Sequence, residues 1–399
     1  MTKKYLVGPF LCTLSCWIVG NGTICLLPLY AIQRGASESG SGLFLAFAFG
    51  CLAIGTFAPG LLPKHFARRR LLLVAAGVVQ VAALLLTSQT KSLVGLAAGC
   101  GAMYFLGGVV FTQATVLTGQ AAPEKERGAA MGILGMSNGL GSVIGGLGAG
   151  WLADRAGFVG LWEVCSAVCL LVILGGLISV EEVQSGKALP AVGIRPASIF
   201  GTALVLMVAA NLMLSVANAV ANLGRSLSMV HRGFSMLTIN LTMALCGAAG
   251  LILSFALGWL SDRIGRRRVL LCSYLVTAVA MIVLGLSRDL WHFYLAIGLT
   301  STVSVCMAVG PAYVIDVVPG DSAAMGVSLF QAAFWAGNIA GPIALGFAFE
   351  RFGMEAPILA SVFFPLGGMV LLLLVRSGPK RVTRSERGPT LPVREAHMR

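Results

Sequence analysis

Residues 258–268 read Gly-Trp-Leu-Ser-Asp-Arg-Ile-Gly-Arg-Arg-Arg, a knot of charge set between two long runs that carry none. Residues 233–261 before it and 269–287 after it contain no Asp, Glu, Lys or Arg. A membrane-spanning helix needs roughly 20 mostly apolar residues. Each run therefore fits one span, and the knot is the loop between them. The same alternation covers the rest of the chain. Charge-free windows run at 5–33, 39–63, 71–90, 92–123, 128–153 and 164–180, and resume at 196–224, 233–261, 269–287, 290–315, 322–349 and 356–375. The bilayer core offers no water to backbone groups, so such runs must be helices or a closed barrel. Barrel strands would be about ten residues of alternating polarity, which these runs are not. The pattern predicts an all-α integral membrane protein of 12 transmembrane helices.

Composition agrees. The 399 residues are 57% hydrophobic and only 11% charged, against about 25% charged in soluble domains. A soluble enzyme of this size, a disordered chain and a nucleic-acid binder are excluded. The net charge of +13 then reads as an orientation signal. With the N-terminus in the cytoplasm, 21 of the 28 Lys and Arg fall on cytoplasmic stretches. The outside keeps Arg34, Lys91, Arg155, Arg225, Arg232, Arg288 and Arg351. This follows the positive-inside rule and puts both termini in the cytoplasm, with the plasma (inner) membrane as the expected location. The ten cysteines all fall inside spans with no His, Asp or Glu at their depth, so they read as packing residues and no metal site is expected.

The knot also recurs. The pattern is Gly, three residues, an acid, Arg, one residue, Gly. Its copies are Gly150/Asp154/Arg155/Gly157, Gly258/Asp262/Arg263/Gly265 and Gly346/Glu350/Arg351/Gly353, with a decayed copy at Gly60/Lys64/His65/Ala67. They end spans two, five, eight and eleven, so the unit is three helices used four times. An odd number of helices inverts each successive unit, the logic of secondary transporters. The halves also match directly. Gly141, Gly145 and Gly150 precede Asp154 at the same spacing as Gly337, Gly341 and Gly346 precede Glu350. The expected organisation is a six-helix bundle at 1–180, a linker at 181–197, a second bundle at 198–376 and a basic tail at 377–399.

With these residues in place, the chain resembles the major facilitator superfamily. The specific signature is Gly258, Asp262, Arg263, Gly265, Arg266 and Arg267, after span eight. The resemblance implies two pseudo-symmetric bundles rocking around a central site. It also implies a gating latch: Asp262 would face the positive N-terminus of span five near Gly128, holding the cytoplasmic side shut. Lys64, His65 and Ala67 depart from this pattern in the first half. A second signature, in span five, resembles that of the family's exporters. Gly132, Gly141, Gly145 and Gly150 keep the pattern there, and Gly337, Gly341, Pro342 and Gly346 stand in span eleven. Small residues at this spacing let helices approach closely.

No acid or base is expected deep in a span, which favours neutral or amphipathic cargo over cargo held by a buried counter-ion. Polar amides are the alternative. Asn211, Ser215, Asn218 and Asn222 are spaced 4, 3 and 4 and share one face of span seven. The resemblance makes spans one, four, seven and ten the cavity lining, which brings in Trp17, Asn21 and Gln113. Asn138, Asn240, Gln331, Trp335 and Asn338 add polarity on flanking spans. The same amides could instead join helices to each other. Asp316, near the inner end of span ten, is the coupling candidate or else an interfacial contact.

The expected function is therefore secondary active transport by alternating access. Proton-coupled efflux of a small drug-like compound or metabolite is preferred, and uptake of a neutral nutrient is the alternative. A polytopic enzyme or sensor is a distant third, since no catalytic cluster and no Walker motif occurs. The expected partners are a small-molecule substrate, protons and the lipid bilayer, with no nucleic acid and no cofactor, and the chain is expected to act as a monomer.

Overall fold

A computed structural model describes residues 4–61, 69–122, 127–179, 201–318 and 323–375. The first half is built from α1 (Lys4–Ile24), α2 (Leu27–Gln33), α3 (Glu38–Leu61), α4 (Arg69–Gln89), α5 (Leu93–Ala121) and α6 (Arg127–Ile178). The second half is built from α7 (Thr202–His231), α8 (Met236–Ile264), α9 (Arg266–Gly285), α10 (Leu290–Thr300), α11 (Val303–Val317), α12 (Ala323–Phe352), α13 (Glu355–Ala360) and α14 (Phe363–Leu374). The described residues contain no strand.

Among the described residues, eleven helical stretches are long and apolar enough to cross a membrane. One of them, Ala130–Ile178, is 49 residues long, about twice what a bilayer needs. It is two spans joined at Gly157, whose φ of 65° and ψ of −172° interrupt the helix. Only glycine enters that backbone region readily. Counting α6 as two spans gives the expected twelve, and the chain is a multi-pass membrane protein. Gly157, Gly265 and Gly353 all have positive φ, and each is the last glycine of a repeat copy. The repeated motif thus ends its span with a left-handed residue that an L side chain would strain.

Other spans are broken more gently. Span ten divides into α10 and α11 at Ser301 and Thr302. Here Ser301 Oγ donates to Gly298 O at 2.5 Å, Thr302 Oγ1 to Leu299 O at 2.8 Å and Ser304 Oγ to Ser301 O at 2.6 Å. Hydroxyls returned to the preceding turn compete with the helical ladder and bend it.

Within the first half, α1 packs on α6, α3 on α5, and α4 on both α5 and α6. In the second, α7 packs on α12 and α14, and α9 on α10, α11 and α14. The halves meet where α6 crosses α8 and where α3 crosses α12. Glycines make both crossings possible. A Cβ on Gly146 would stand 2.7 Å from Ala244 N, and one on Gly150 2.8 Å from Leu237 Cα. At the second crossing, Gly42 lies against the backbone of Pro342, and Gly346 against Glu38 and Ser39. Gly141 and Gly145 instead seat α6 on α1, and Gly337 and Gly341 seat α12 on α7. Gly132 meets nothing within 4 Å.

The structure makes one correction of consequence. The charge-free window ended span seven at residue 224, and Arg225 was counted in an outer loop. The helix continues to His231, and Arg225 is buried at 1% exposure. The first turn beyond a window can stay helical when its charge finds a place inside the protein.

Candidate functional site

The amide stripe of α7 faces α12. Asn211 Nδ2 donates to Phe330 O at 2.7 Å, and Ser215 Oγ donates to Phe334 O. Asn338, from α12, donates from Nδ2 to Ser215 Oγ at 2.8 Å and accepts at Oδ1 from Asn218 Nδ2 at 3.4 Å. Asn211, Ser215 and Asn338 are buried, whereas Asn218 and Asn222 are half-buried. The lower part of the stripe therefore joins helices, and Asn218 and Asn222 keep polar surface available.

The first half holds a matching cluster. Asn21 Nδ2 of α1 donates to Asn138 Oδ1 at 2.9 Å and to Ser142 Oγ at 2.6 Å, both on α6. Asn138 is exposed. Asn240 of α8 donates to Gly22 O at 2.7 Å, a hydrogen bond between the halves. Trp17 stacks edge-on against Phe111 at 5.6 Å. Trp335 does the same with Phe334 at 5.6 Å. Gln331, on the same helix, is exposed. Gln113 is buried and accepts from Arg69 Nη1 at 3.2 Å, so its amide is turned toward the start of α4.

Beyond Asn222 the stripe continues. Asn211, Ser215, Asn218, Asn222 and Arg225 keep the 4, 3, 4, 3 spacing of one helical face. The expectation that no base lies deep in a span is therefore corrected. Arg225 Nη2 donates to Cys25 Sγ at 2.8 Å, Asn222 Oδ1 at 3.3 Å and Met243 Sδ at 3.7 Å. Cys25 belongs to the first half, between α1 and α2, and Met243 to α8. Its Nε and Nη1 are buried with no hydrogen-bond partner. Sulfur is a weak acceptor, and an uncompensated buried charge costs on the order of several kcal/mol. The signal for Arg225 was the period of the stripe itself, which the charge-free criterion cut one turn short.

At the end of the molecule beyond Arg225, the halves are held by helix termini. Asp154 of α6 accepts from the backbone N–H groups of Met236 at 3.0 Å and Leu237 at 2.8 Å, the first two residues of α8. Glu350 of α12 accepts from Ser39 N at 3.0 Å, in the first turn of α3. Each carboxylate thus satisfies free donors at the positive end of a helix in the other half. His231 Nε2 and Glu38 Oε1 lie 3.4 Å apart across the same seam. The repeat gave Asp154 and Glu350 their positions, and the latch role had been expected of Asp262 alone.

The opposite end carries the signature loop. Arg266 Nη1 pairs with Asp316 Oδ2 at 2.9 Å and donates to Ala312 O at 2.8 Å. Arg267 Nη2 donates to Leu373 O at 2.5 Å, and the Arg263 guanidinium lies 3.8 Å from the Trp259 ring centre. All of these contacts stay within the second half. Asp316 is about half exposed and its described partner is Arg266. Gly265 ends α8 with a φ of 98°. The surroundings of Gly258, Asp262 and Gly128, and residues 62–68, lie outside what the structure describes, and with them the expected contact between Asp262 and span five.

Comparison with known proteins agrees with this architecture. The family model of the Major Facilitator Superfamily matches residues 9–223 and 198–398. The chain is 26% identical over 304 residues to the multidrug resistance protein MdtG of Serratia proteamaculans, covering 71% of this chain and 72% of that protein. It is 36% identical over 117 residues to the class C tetracycline resistance protein of Escherichia coli, a match spanning 29% of either chain. The crystal structure of a bacterial homolog of the human lysosomal transporter Spinster, inward-facing and occupied, superposes with a TM-score of 0.74 at 15% identity, covering 93% of this chain and 96% of that one. The chain belongs to the Major Facilitator Superfamily, a family of membrane transporters.

Proposed function

We propose that this transporter exports a small amphipathic organic compound by alternating access, driven by protons. The observation that carries the mechanism is the pair of matched caps, Asp154 on α8 and Glu350 on α3. They join the two halves at one end of the molecule. A rocking carrier needs contacts of this kind, strong enough to hold a closed end and cheap enough to break. Positive-inside orientation places that end outside the cell and both termini in the cytoplasm, so this conformation is closed to the outside. The cargo site lies between the halves, with Asn21, Asn138, Asn218, Asn222, Gln331 and Trp335 offering amides and an aromatic face. The direction is supported by two relatives whose names specify drug resistance.

Asp316 is the coupling acid in this reading. A proton on Oδ2 would remove the charge that holds Arg266 at 2.9 Å and release the signature loop. The test is transport by purified protein, as a monomer, in liposomes with an imposed pH gradient. Tetracycline and ethidium serve as first cargoes. The reading requires gradient-dependent movement of at least one of them away from the face bearing the basic loops. Movement that ignores the gradient removes the coupling, and accumulation on that face reverses the direction.

A further inference from the structure

We propose that Arg225 is a docking site for the anionic group of the cargo, so that the transported class is amphipathic organic acids. This rests on the transport reading above and narrows it. Three observations at the residue itself carry it. Arg225 is buried at 1% exposure. Its hydrogen-bond partners are neutral: Cys25 Sγ, Asn222 Oδ1 and Met243 Sδ. Its Nε and Nη1 have no partner, and each lies beside Nη2, so a carboxylate that displaces the sulfurs from Nη2 completes a two-donor edge of the fork with one of them.

None of the carboxylates described at the neighbouring end is a hydrogen-bond partner of Arg225: Glu163 and Asp289 are exposed, and the others are engaged elsewhere. Asp154 and Glu350 hold backbone amides, Glu38 faces His231 at 3.4 Å, and Glu355 faces Arg232 at 3.5 Å. The counter-ion of Arg225 is therefore best supplied from outside the chain.

Position makes the cargo that supply. Arg225 ends the stripe that also holds the half-buried Asn218 and Asn222. Asn222 touches both the stripe and the guanidinium. Cys25 comes from the first half and Met243 from the second, so the charge sits on the seam that rocking opens and closes. An anion drawn up the stripe would displace the sulfur contacts from Nη2, bind Nη2 together with one free neighbour, Nε or Nη1, and leave by the opposite side when the caps above part. The apolar remainder of the cargo would rest against Trp335 and neighbouring apolar side chains.

The test is equilibrium binding to full-length protein in lipid nanodiscs, using matched amphipathic acids and their uncharged amides. The pairs are 2-naphthoate with 2-naphthamide, salicylate with salicylamide, and decanoate with decanamide. Wild type should bind at least one acid about tenfold more tightly than its amide, the order of one charge-assisted hydrogen-bond pair. Arg225→Gln should lose that preference while keeping its affinity for the amide, and Arg225→Lys should keep part of it. If Arg225→Gln does not fold, Arg225→Lys and the wild-type comparison decide. No acid preference in wild type overturns the proposal, and so does a preference unchanged in Arg225→Gln. Binding needs no gradient and no direction. Acid preference without gradient-driven export would remove the export reading and leave the site, and export without acid preference would do the reverse.

Discussion

Asp154 accepts the backbone N–H of Leu237 at 2.8 Å across the seam between the two halves. Glu350, its repeat counterpart, does the same for Ser39. A carboxylate at a helix N-terminus favours the closed end, by about a few-fold in a two-state equilibrium. Asp154→Asn and Glu350→Gln should each populate the state open at this end by about that factor. The double variant should multiply the two effects. Cys25 reports it, because it is 1% exposed beneath the caps. Its labelling by an impermeant maleimide, read by peptide mass spectrometry, should rise in both single variants. Unchanged labelling would mean that the caps do not set the equilibrium.

Close approach at the seam makes a second prediction. A side chain at Gly146 would strike the backbone of Asn240 and Ala244. Gly146→Val should prevent closure at this end and abolish transport while the protein still inserts and elutes as one species. Gly132→Ala, where nothing lies within 4 Å, should transport within about twofold of wild type, as expected for a site with no packing consequence. Equal loss in both would show that the glycines act through helix formation instead.

Two asparagines of one stripe should behave differently. Asn211 is fully buried and donates to Phe330 O, so Asn211→Ala should lower thermal stability by about 1 kcal/mol, the usual worth of such a bond. Cargo preference should survive. Asn218 is half-buried, and Asn218→Ala should alter cargo affinity several-fold with little change in melting. Melting curves and competition binding on the two variants distinguish these outcomes. A reversed pattern would move the cavity to the other side of α7.

Asp316→Asn should uncouple the carrier. Gradient-driven accumulation should fall at least tenfold, which corresponds to about 1.4 kcal/mol in the energetics of the coupled step. Exchange of labelled for unlabelled cargo without a gradient should persist. If exchange is lost in parallel, the Arg266–Asp316 pair holds the fold of the loop and carries no proton.

The twelve spans were legible because charge is scarce in this chain and concentrated in its loops. The repeat was legible because glycine, acid and arginine keep their spacing at the ends of spans five, eight and eleven. Distance was not. Nothing in the copies at Asp154 and Glu350 tells that their carboxylates reach helix termini in the opposite half, since the partners are main-chain amides with no residue-type signature. Arg225 was hidden for a different reason. A charge marks the end of a span elsewhere in this chain, yet the 4, 3, 4, 3 period of the stripe passes through this one. Gln113 shows the converse: a polar residue on an expected lining helix that turns away to Arg69.

The caps have a consequence for how such a carrier can change over time. Both carboxylates grip main chain, which every residue type at positions 236, 237 and 39 supplies equally, proline apart. Side chains along the proposed cargo path can therefore diversify while the proposed closing contact stays intact. Recognition and closure are recorded in different parts of the polymer, so new cargo specificity need not come at the expense of the cycle that moves it.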